Sequence, residues 1–309
     1  MRVIFMGTPD FAVGTLEAII EAGHEVVLVV TQPDKPKGRG NTVVFPPVKE
    51  CALSHGIEVF QPQKIRLEEN VENLRKYNPE IIVVAAFGQL LPKSILDMPK
   101  YGCINVHASL LPKYRGAAPI QWSILNGDEY TGVTIMRMDV GMDTGDMITK
   151  AQVRIEADET GGSLFDKLAG VGAQLCVDTM KLIEEGKADY IPQDHEQATH
   201  VSMISKELGD IDWNRSAKEI ERLIRGLNPW PSAYTRLDGK TFKIWKAMVL
   251  EENTKCTPGQ IVKVTKDSLH VQTSDGVLAL LEVQLEGKKR MPIDAFLRGY
   301  QVEEGNCLR

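Results

Sequence analysis

Two polar side chains stand at the end of a predicted buried strand, within the stretch INVHASLLPKYRG (residues 104–116). Asn105 and His107 are two residues apart, so on an extended strand both side chains point to the same side. An amide beside an imidazole can stabilise a developing oxyanion, and the imidazole can also move a proton. A single histidine at a strand end is more often a structural polar residue, but the neighbouring amide favours the chemical interpretation.

A second polar segment, MDVGMDTGD (residues 138–146), carries Asp139, Asp143 and Asp146 among two glycines. The commonest structural use of such a sequence is a hairpin turn. A metal site is the alternative, but the ligand spacing matches no standard calcium-binding loop, so we expect no metal. The GxSxG and HExxH motifs of hydrolases are also missing from the sequence.

The turn Ser109-Leu110-Leu111-Pro112 follows the strand and places two leucines beside the polar residues. These leucines could simply close the end of the sheet. They could also wall a pocket for a flat aromatic ligand, which needs apolar sides and backbone polar groups at its ring edges. The residues alone leave both interpretations open.

Alternating strand and helix signals in the first half predict the elements that hold these residues. Continuous apolar runs are typical of parallel strands that helices cover on both faces. Two further segments alternate apolar and polar residues, as in an antiparallel edge. We therefore predict an α/β fold with a Rossmann-like, mostly parallel sheet in residues 1–188. The predicted strands are 3–7, 25–30, 58–60, 81–86 and 102–106, the antiparallel edge is 131–138 and 146–155, and the predicted helices are 10–22, 67–77 and 163–185.

The second half of the chain has a different pattern. Residues 189–206 show neither period and predict a linker. After a helix at 217–227, short strand signals alternate with turn signals such as Leu237-Asp238-Gly239 and Ser274-Asp275-Gly276. Short, evenly spaced strands predict a small OB-like β-barrel domain in residues 207–309.

Length and composition agree with two globular domains. The chain has 309 residues, of which 43% are hydrophobic and 25% are charged, as in ordinary globular proteins. The longest apolar runs are far shorter than the roughly 20 residues that span a bilayer, so we expect no membrane partner. The opening MRVIFMGTPD turns polar after six residues and predicts a first strand instead of a signal peptide. Five singly scattered cysteines predict reduced thiols and a cytoplasmic location.

The charge is unevenly distributed along the chain. The net charge is −6, with −7 in residues 1–206 and +1 in residues 207–309. The segment QPDKPKGRG nevertheless carries Lys35, Lys37 and Arg39 with no acidic residue after Asp34. Local charge of this kind can attract an anion although the whole chain is acidic. A solvated loop without a ligand is the simpler interpretation of these residues.

Three motifs in a fixed order resemble the formyltransferase family that uses 10-formyltetrahydrofolate. They are AAFGQLLP at residues 85–92, NxHxSLLPxYRG at 105–116 and DxGxDTGD at 139–146. The resemblance implies that Asn105, His107 and Asp143 form the catalytic trio and that no metal takes part. It also implies that the folate is the formyl-donor co-substrate and is bound by two stretches, Gln89, Leu90 and Leu91 and Ser109, Leu110, Leu111 and Pro112.

The rest of the chain is similar to those family members that formylate the α-amine of initiator Met-tRNA for translation initiation. This similarity rests on the opening MGTPDFA, the basic TQPDKPKGRG segment and the β-rich tail, so it covers essentially the whole chain. It implies tRNA contacts by Lys35, Lys37 and Arg39 in an enlarged loop at residues 32–46, and by the C-terminal barrel. It implies no obligatory protein partner.

Two alternative functions remain. Relatives that formylate a nucleotide-linked amino sugar carry the same trio, but we expect them to lack the enlarged basic loop and to have a different tail. A non-catalytic folate- or tRNA-binding protein would have no reason to keep the polar trio intact. An assay of formyl transfer separates these alternatives.

Overall fold

The computed structural model describes residues 1–37 and 42–309. The chain divides into two compact units that differ in architecture. The first unit comprises Met1–Pro119, Tyr130–Arg154 and Phe165–Val201, and the second comprises Ile120–Glu129, Ile155–Leu164 and Ser202–Arg309.

Strands and helices alternate in the first part of the chain, and strands dominate the last part. The strands are β1 Arg2–Gly7, β2 Glu25–Val30, β3 Lys35–Lys37, β4 Thr42–Val44, β5 Val59–Phe60, β6 Ile81–Ala85, β7 Cys103–His107, β8 Arg115–Gly116, β9 Tyr130–Arg137, β10 Met147–Arg154, β11 His200–Val201, β12 Ala233–Leu237, β13 Lys240–Leu250, β14 Ile261–Val264, β15 Leu269–Gln272, β16 Val277–Leu285 and β17 Met291–Pro292. The α-helices are α1 Asp10–Glu21, α2 Pro47–Ser54, α3 Glu68–Arg75, α4 Lys93–Leu96, α5 Pro119–Leu125, α6 Gly161–Glu184, α7 Ala217–Gly226 and α8 Ile293–Gly299.

The first unit is built on a seven-stranded sheet in the order β10-β9-β7-β6-β1-β2-β5. Five neighbouring strands run parallel: β7, β6, β1, β2 and β5. Strand β9 is antiparallel to β7, and β10 is antiparallel to β9. All five residues of β6 are buried, as expected for a strand covered on both faces. The predicted mostly parallel sheet with an antiparallel edge is therefore confirmed.

Helix α1 shows how the local sequence sets the boundaries of these elements. The helix begins at Asp10, which is its first residue and not the cap, and an acidic residue there favours the helix N-terminus. Gly23 follows the helix at φ +81°, a left-handed conformation that glycine adopts without strain. Phe11, Leu16 and Ile19 lie on its buried side.

The basic segment predicted as a loop contains a short hairpin. Lys35 pairs with Val44, and Pro36 pairs with Val43, in the antiparallel ladder of β3 and β4. Helix α2 follows immediately and was not predicted. Pro46 and Pro47 sit at its N-terminus, where the missing proline amide hydrogens remove no helical hydrogen bond.

The residues predicted as a linker carry two short elements. Strand β11 pairs in parallel with β8, and Ile191 forms a bridge with Met147. A turn of 3₁₀-helix lies between them at His195–Gln197. The segment shows neither helical nor strand periodicity, because its elements are only two or three residues long and its other contacts are a single bridge and side-chain hydrogen bonds.

The second unit contains an antiparallel sheet in the order β12-β13-β16-β15-β14, with β17 paired to β16. The antiparallel β-domain is therefore confirmed, but the closed barrel is not, since β12 and β14 remain sheet edges within the described residues. The C-terminal residues bond to both edges. Arg309 exchanges backbone hydrogen bonds with Arg236 of β12, while the Leu308 amide donates to the Gly259 carbonyl beside β14 at 2.8 Å.

One core cluster holds the second unit together. Helix α7 begins with a capping box, in which the Ser216 and Glu219 side chains bond each other's backbone amides. Its apolar side, with Ile220 and Leu223, belongs to the same buried cluster as Phe242 of β13. The first four residues of β16, 277–280, are all buried, so the sheet is covered on both faces at this strand.

Two further findings concern the whole described chain. No helix in residues 1–37 and 42–309 is both long enough and apolar enough to cross a bilayer. All five cysteines lie within these residues, and each is a free thiol.

Candidate active site

His107 is the last residue of β7 and is 6% exposed. Its Nε2 lies 2.9 Å from the carbonyl oxygen of Tyr114. A carbonyl oxygen can only accept, so this contact assigns a proton to Nε2. Nδ1 is therefore the nitrogen that can take up or release a proton.

Asp143 lies beside this second nitrogen. Its Oδ2 is 3.7 Å from His107 Nδ1, and the same oxygen accepts a 2.8 Å hydrogen bond from the Gly116 amide. The Asp143 backbone is left-handed, with φ 55°. Two residues later, position 145 must be a glycine, because a Cβ at Gly145 would collide with the Arg137 carbonyl oxygen. The structure therefore brings together His107 and Asp143, two of the three predicted catalytic residues.

Asn105 occupies the middle of β7, two residues before His107 and opposite Met136 of β9. The alternation of side chains along a strand places its amide on the same side of the sheet as the imidazole. The side chain is half-buried, and no hydrogen-bond partner of its amide is found within the described residues. Amide and imidazole thus lie on the same side of one central strand.

The predicted folate turn at residues 109–112 is held by one threonine of the neighbouring strand. Thr134 is fully buried in β9, and its hydroxyl donates to the Ser109 carbonyl oxygen at 2.7 Å. The Thr134 hydroxyl oxygen itself accepts from the Leu111 amide at 3.1 Å. The sequence analysis missed Thr134, since strand alternation shows which side it faces but not that it bridges the turn.

Within the turn, the two leucines behave differently. Leu111 is 1% exposed and packs with Met136 and Met147, so it closes the end of the sheet. Leu110 is half-buried beside Gly132, where a Cβ would contact its Cδ2. The Ser109 hydroxyl donates to the Lys113 carbonyl oxygen at 2.6 Å. Leu110 is therefore the leucine of this turn that retains surface for a ligand.

Two other contacts support the turn from outside. Lys150 of β10 donates to the Leu111 carbonyl oxygen at 2.5 Å, and partial desolvation lowers the pKa of its ammonium group. The Pro112 carbonyl oxygen accepts from the Thr199 amide at 3.3 Å. The path of the turn is thus fixed from β10 and from residue 199.

The second predicted folate stretch divides in the same way. Gln89 uses its side chain internally, accepting from the Ile65 amide at 2.8 Å and donating to the Pro62 carbonyl oxygen at 3.2 Å. Leu91 is 7% exposed and belongs to the core of the first unit. Leu90, in contrast, is 69% exposed. A ligand could contact Leu90, whereas Gln89 and Leu91 organise the loop.

The base of the basic hairpin is tied to the first unit by a polar network. Lys49 donates to Asp34 at 2.7 Å and to Gln61 at 2.8 Å, and the Gln61 amide nitrogen donates to Asp34 at 2.8 Å. The hydrogen bonds from Lys49 and Gln61 lower the pKa of Asp34. The single acid of the basic segment is thereby bonded to Lys49, while Lys35 on β3 is exposed. The Lys37 side chain and Arg39, two of the three predicted tRNA contacts, lie outside the described residues.

One group of side chains in the described residues has the composition of a metal site. Ligand atoms of Glu17, Cys51 and His55 lie within 4.8 Å of one another, on α1 and at the C-terminal end of α2. None of the polar residues described above belongs to this group.

Comparison with known proteins identifies the family. A family model described as formyl transferase matches residues 1–180, and a model of the formyl transferase C-terminal domain matches residues 203–301. The chain belongs to the formyl transferase family. Its polar cluster at the end of β7 therefore lies within the N-terminal formyl transferase domain.

Full-length relatives in this family share high sequence identity with the chain. Methionyl-tRNA formyltransferase of Agathobacter rectalis is 71% identical over 306 residues, which are 99% of each protein. The protein of the same name from Lachnospira eligens is 58% identical over 100% of this chain and 99% of the relative. The formyl transferase described here therefore matches such relatives from end to end.

Solved structures of more distant proteins share the fold. A sugar 3N-formyl transferase, WlaRD, solved with dTDP and 5-N-formyl-THF, aligns with a TM-score of 0.67 at 19% identity, over 94% of this chain and 99% of that one. HypX from Aquifex aeolicus in complex with tetrahydrofolic acid aligns with a TM-score of 0.62 at 17% identity, over 99% of this chain and 50% of that one. At these identities the likeness concerns the fold alone.

Proposed function

We propose that this protein transfers a formyl group from 10-formyltetrahydrofolate to the α-amine of initiator Met-tRNA. The observation that carries the proposal is the 71% identity, over 99% of both chains, with a methionyl-tRNA formyltransferase. The geometry of His107 and Asp143 supports it, since formyl transfer needs a proton acceptor and a site for the developing oxyanion.

The donor supplies a formyl group on a folate nitrogen, and the chain must activate the acceptor amine and stabilise the oxyanion. An α-amine has a pKa of about 7.7–8.0 in model peptides, so a neutral amine is readily available near neutral pH. Asn105 and His107 share one side of β7, and we assign the oxyanion to the Asn105 amide and to His107 Nδ1 once this nitrogen carries the proton of the amine. Losing one donor of this kind typically lowers the rate ~100- to 1000-fold.

Asp143 and His107 Nδ1 would manage the proton that leaves the amine. Nε2 is engaged by the Tyr114 carbonyl oxygen, which leaves Nδ1 to face the carboxylate. Nδ1 and Oδ2 are 3.7 Å apart, which is longer than a hydrogen bond. The two atoms therefore do not bond each other, and a small group beside them can exchange a proton with both. In this assignment Asp143 accepts the amine proton and His107 relays it toward the leaving nitrogen.

The folate donor fits the remaining surface of the two leucine stretches. Leu90 is exposed and Leu110 is half-buried, so these two can contact the flat sides of an aromatic ring system. Ser109, Leu111, Gln89 and Leu91 would act by fixing the course of the backbone. Pro112 restricts the turn in the same way.

Binding of tRNA would use the basic hairpin and the second unit. Lys35 on β3, with Lys37 and Arg39, would neutralise phosphates near the amino acid. On the outer face of the second unit, the Trp245 ring lies beside two cations, with Arg290 at 4.7 Å and Lys243 at 5.7 Å from the ring centroid. An aromatic ring flanked by cations suits unpaired bases and phosphates, and an OB-like arrangement of residues 207–309 would serve this role. A cytoplasmic location without an obligatory protein partner fits this function.

The decisive experiment compares acceptors at one concentration of 10-formyltetrahydrofolate. Initiator Met-tRNA, elongator Met-tRNA and a nucleotide-linked amino sugar would each be offered to the full chain. We expect formyl transfer to initiator Met-tRNA far faster than to either alternative. Transfer to the sugar but not to the tRNA would overturn the proposal, as would binding of tRNA and folate without turnover.

A further inference from the structure

A buried arginine and a buried glutamine form a hydrogen-bonded pair beneath the loop that carries Asp143. Arg115 is 3% exposed and Gln193 is 5% exposed. The guanidinium donates to Gln193 Oε1 from Nε at 3.1 Å and from Nη2 at 2.8 Å. Nη2 also lies 3.0 Å from His195 Nδ1. Both partners of the guanidinium, Gln193 and His195, come from residues 189–206.

This pairing determines which way the glutamine amide faces. The oxygen of an amide and its nitrogen are hard to tell apart by shape, so their assignment rests on the partners. Two donors of a guanidinium that is always protonated fix Oε1 on the side of Arg115. Nε2 must then point away from the arginine, with two hydrogens to donate.

The Gln193 nitrogen binds the backbone of the aspartate loop. It donates to the Asp143 carbonyl oxygen at 2.9 Å and to the Gly145 carbonyl oxygen at 2.7 Å. One amide therefore fixes the two carbonyl groups that flank Thr144. Gln193 itself is located by the pair of backbone hydrogen bonds between Ile191 and Met147, at 2.8 and 2.9 Å.

The loop needs such support because its own backbone is unfavourable. Asp143 has a left-handed φ of 55°, a conformation that persists in a non-glycine residue only when its surroundings hold it. The carboxylate is restrained separately, through the Gly116 amide at 2.8 Å. Arg115 and Gly116 are adjacent in β8, so this two-residue strand restrains Asp143 from two directions.

We propose that Gln193, oriented by Arg115, is a positioning residue for Asp143 and sets the carboxylate at its distance from His107. The inference rests on the proposed function, because it assumes that Asp143 handles the proton of the acceptor amine. Misplacement of a reacting group by about 1 Å can lower a rate by ~100-fold. Loss of the Gln193 amide should therefore lower kcat.

The test is a double-mutant cycle on kcat with initiator Met-tRNA and 10-formyltetrahydrofolate. Gln193→Met keeps length and volume but removes both donors. We expect it to lower kcat by roughly 100-fold in the otherwise unchanged chain, with the KM for the folate within about twofold. In an Asp143→Asn background the same change should alter the residual rate by less than about twofold, because its effect passes through Asp143.

A matched control separates positioning from general stabilisation. Gln272 is also buried, at 3% exposure, and its amide also donates to two backbone carbonyl oxygens, those of Thr273 at 2.8 Å and Gly276 at 3.3 Å. Gln272→Met should also lower the melting temperature, because it leaves buried backbone carbonyl groups without a donor. It should leave kcat unchanged.

A second variant covers the case in which Gln193→Met does not fold. Gln193→Glu keeps an oxygen for Arg115 but turns an acceptor toward the two carbonyl groups, so it should fold and still lower kcat. Normal kcat in a folded Gln193→Met or Gln193→Glu variant would overturn the inference, and so would equal effects in the two backgrounds. Failure of the proposed function is distinguishable, because the unchanged chain would then show no formyl transfer to initiator Met-tRNA, whereas normal turnover in Asp143→Asn would refute only the role of Asp143.

Discussion

The Asp143 carboxylate lies 3.7 Å from the His107 ring nitrogen, and a backbone amide fixes the same carboxylate oxygen. The distance brings two ionisable groups within electrostatic reach without a direct hydrogen bond between them. The other ring nitrogen is bonded to a carbonyl oxygen. Only Nδ1 of His107 and the Asp143 carboxylate can therefore accept the same incoming proton. Such an arrangement suits transfer of a proton from an incoming amine.

The first prediction concerns Asn105, whose side-chain amide has no hydrogen-bond partner within the described residues. Asn105→Ala should lower kcat by ~100- to 1000-fold, because it removes an oxyanion donor and little else. The folate KM should change by less than a few-fold, since the amide acts on the charge that develops during transfer. Steady-state kinetics measures both quantities. A rise of ~100- to 1000-fold in the folate KM with unchanged kcat would instead make Asn105 a ligand-binding residue.

The second prediction concerns Thr134, whose hydroxyl bridges Ser109 and Leu111. Thr134→Val keeps the shape and leaves a buried carbonyl and a buried amide unsatisfied, each at about 1–3 kcal/mol. We expect a lower free energy of unfolding and weaker folate binding, measured by denaturant titration and by calorimetry.

Thr15→Val is the matched control for this change. Thr15 is fully buried in α1, and its hydroxyl has no hydrogen-bond partner within the described residues. Replacing it should leave stability equal or improved and folate binding unchanged. Similar losses in both variants would mean that the Thr134 hydroxyl does not support the turn.

The third prediction concerns the basic segment QPDKPKGRG. Arg39→Ala should lower kcat/KM for initiator tRNA by roughly 5- to 150-fold, which corresponds to a contact of about 1–3 kcal/mol. Arg39→Lys should restore only part of this loss, since lysine lacks the planar fork of arginine. The folate KM should hardly change. Unchanged tRNA kinetics in Arg39→Ala would make the segment a solvated surface feature.

The fourth prediction uses an ion pair on the second unit. Both side-chain oxygens of Glu282 accept from Arg290, at 2.7 and 2.6 Å, and this bonding lowers the pKa of Glu282. Glu282→Gln removes the competing charge, so Arg290 becomes available to phosphate. Affinity for tRNA should rise, and the slope of log K against log salt should steepen by about one unit.

Lys243→Ala gives the opposite change on the same face. Removing this cation should weaken tRNA binding and flatten the salt slope by about one unit. Titrations at several salt concentrations measure both slopes. Identical slopes in Glu282→Gln, Lys243→Ala and the unchanged chain would exclude this face from tRNA binding.

The sequence alone was sufficient to predict the regular strands and helices and the site residues that lie inside motifs. Strand β2 was predicted with its observed bounds, Glu25–Val30, because it is a continuous apolar run. The hairpin of β3 and β4 was not predicted, because three residues with a central proline carry no period. The OB-like barrel, in contrast, was predicted but is not closed in the structure, since β12 and β14 remain sheet edges within the described residues and the C-terminal residues bond to both.

Residues that act through the backbone were the least predictable part of the candidate site. Gln193 lies 50 positions from Asp143 in the chain, within a segment that shows no periodicity. Its role depends on amide bonds to two carbonyl groups, and such bonds leave no trace in residue spacing. Thr134 was missed for the same reason, whereas the motif resemblance predicted Asn105, His107 and Asp143 directly.

The most direct measurement is single-turnover transfer of a labelled formyl group to initiator Met-tRNA by the unchanged chain and by Asp143→Asn. This substitution keeps the shape of the side chain and removes its capacity to accept a proton. We expect the rate to fall to a small residual, while affinity for the folate stays within a few-fold. A rate close to that of the unchanged chain would contradict the assignment of Asp143, His107 and Asn105 as the groups that carry out the transfer.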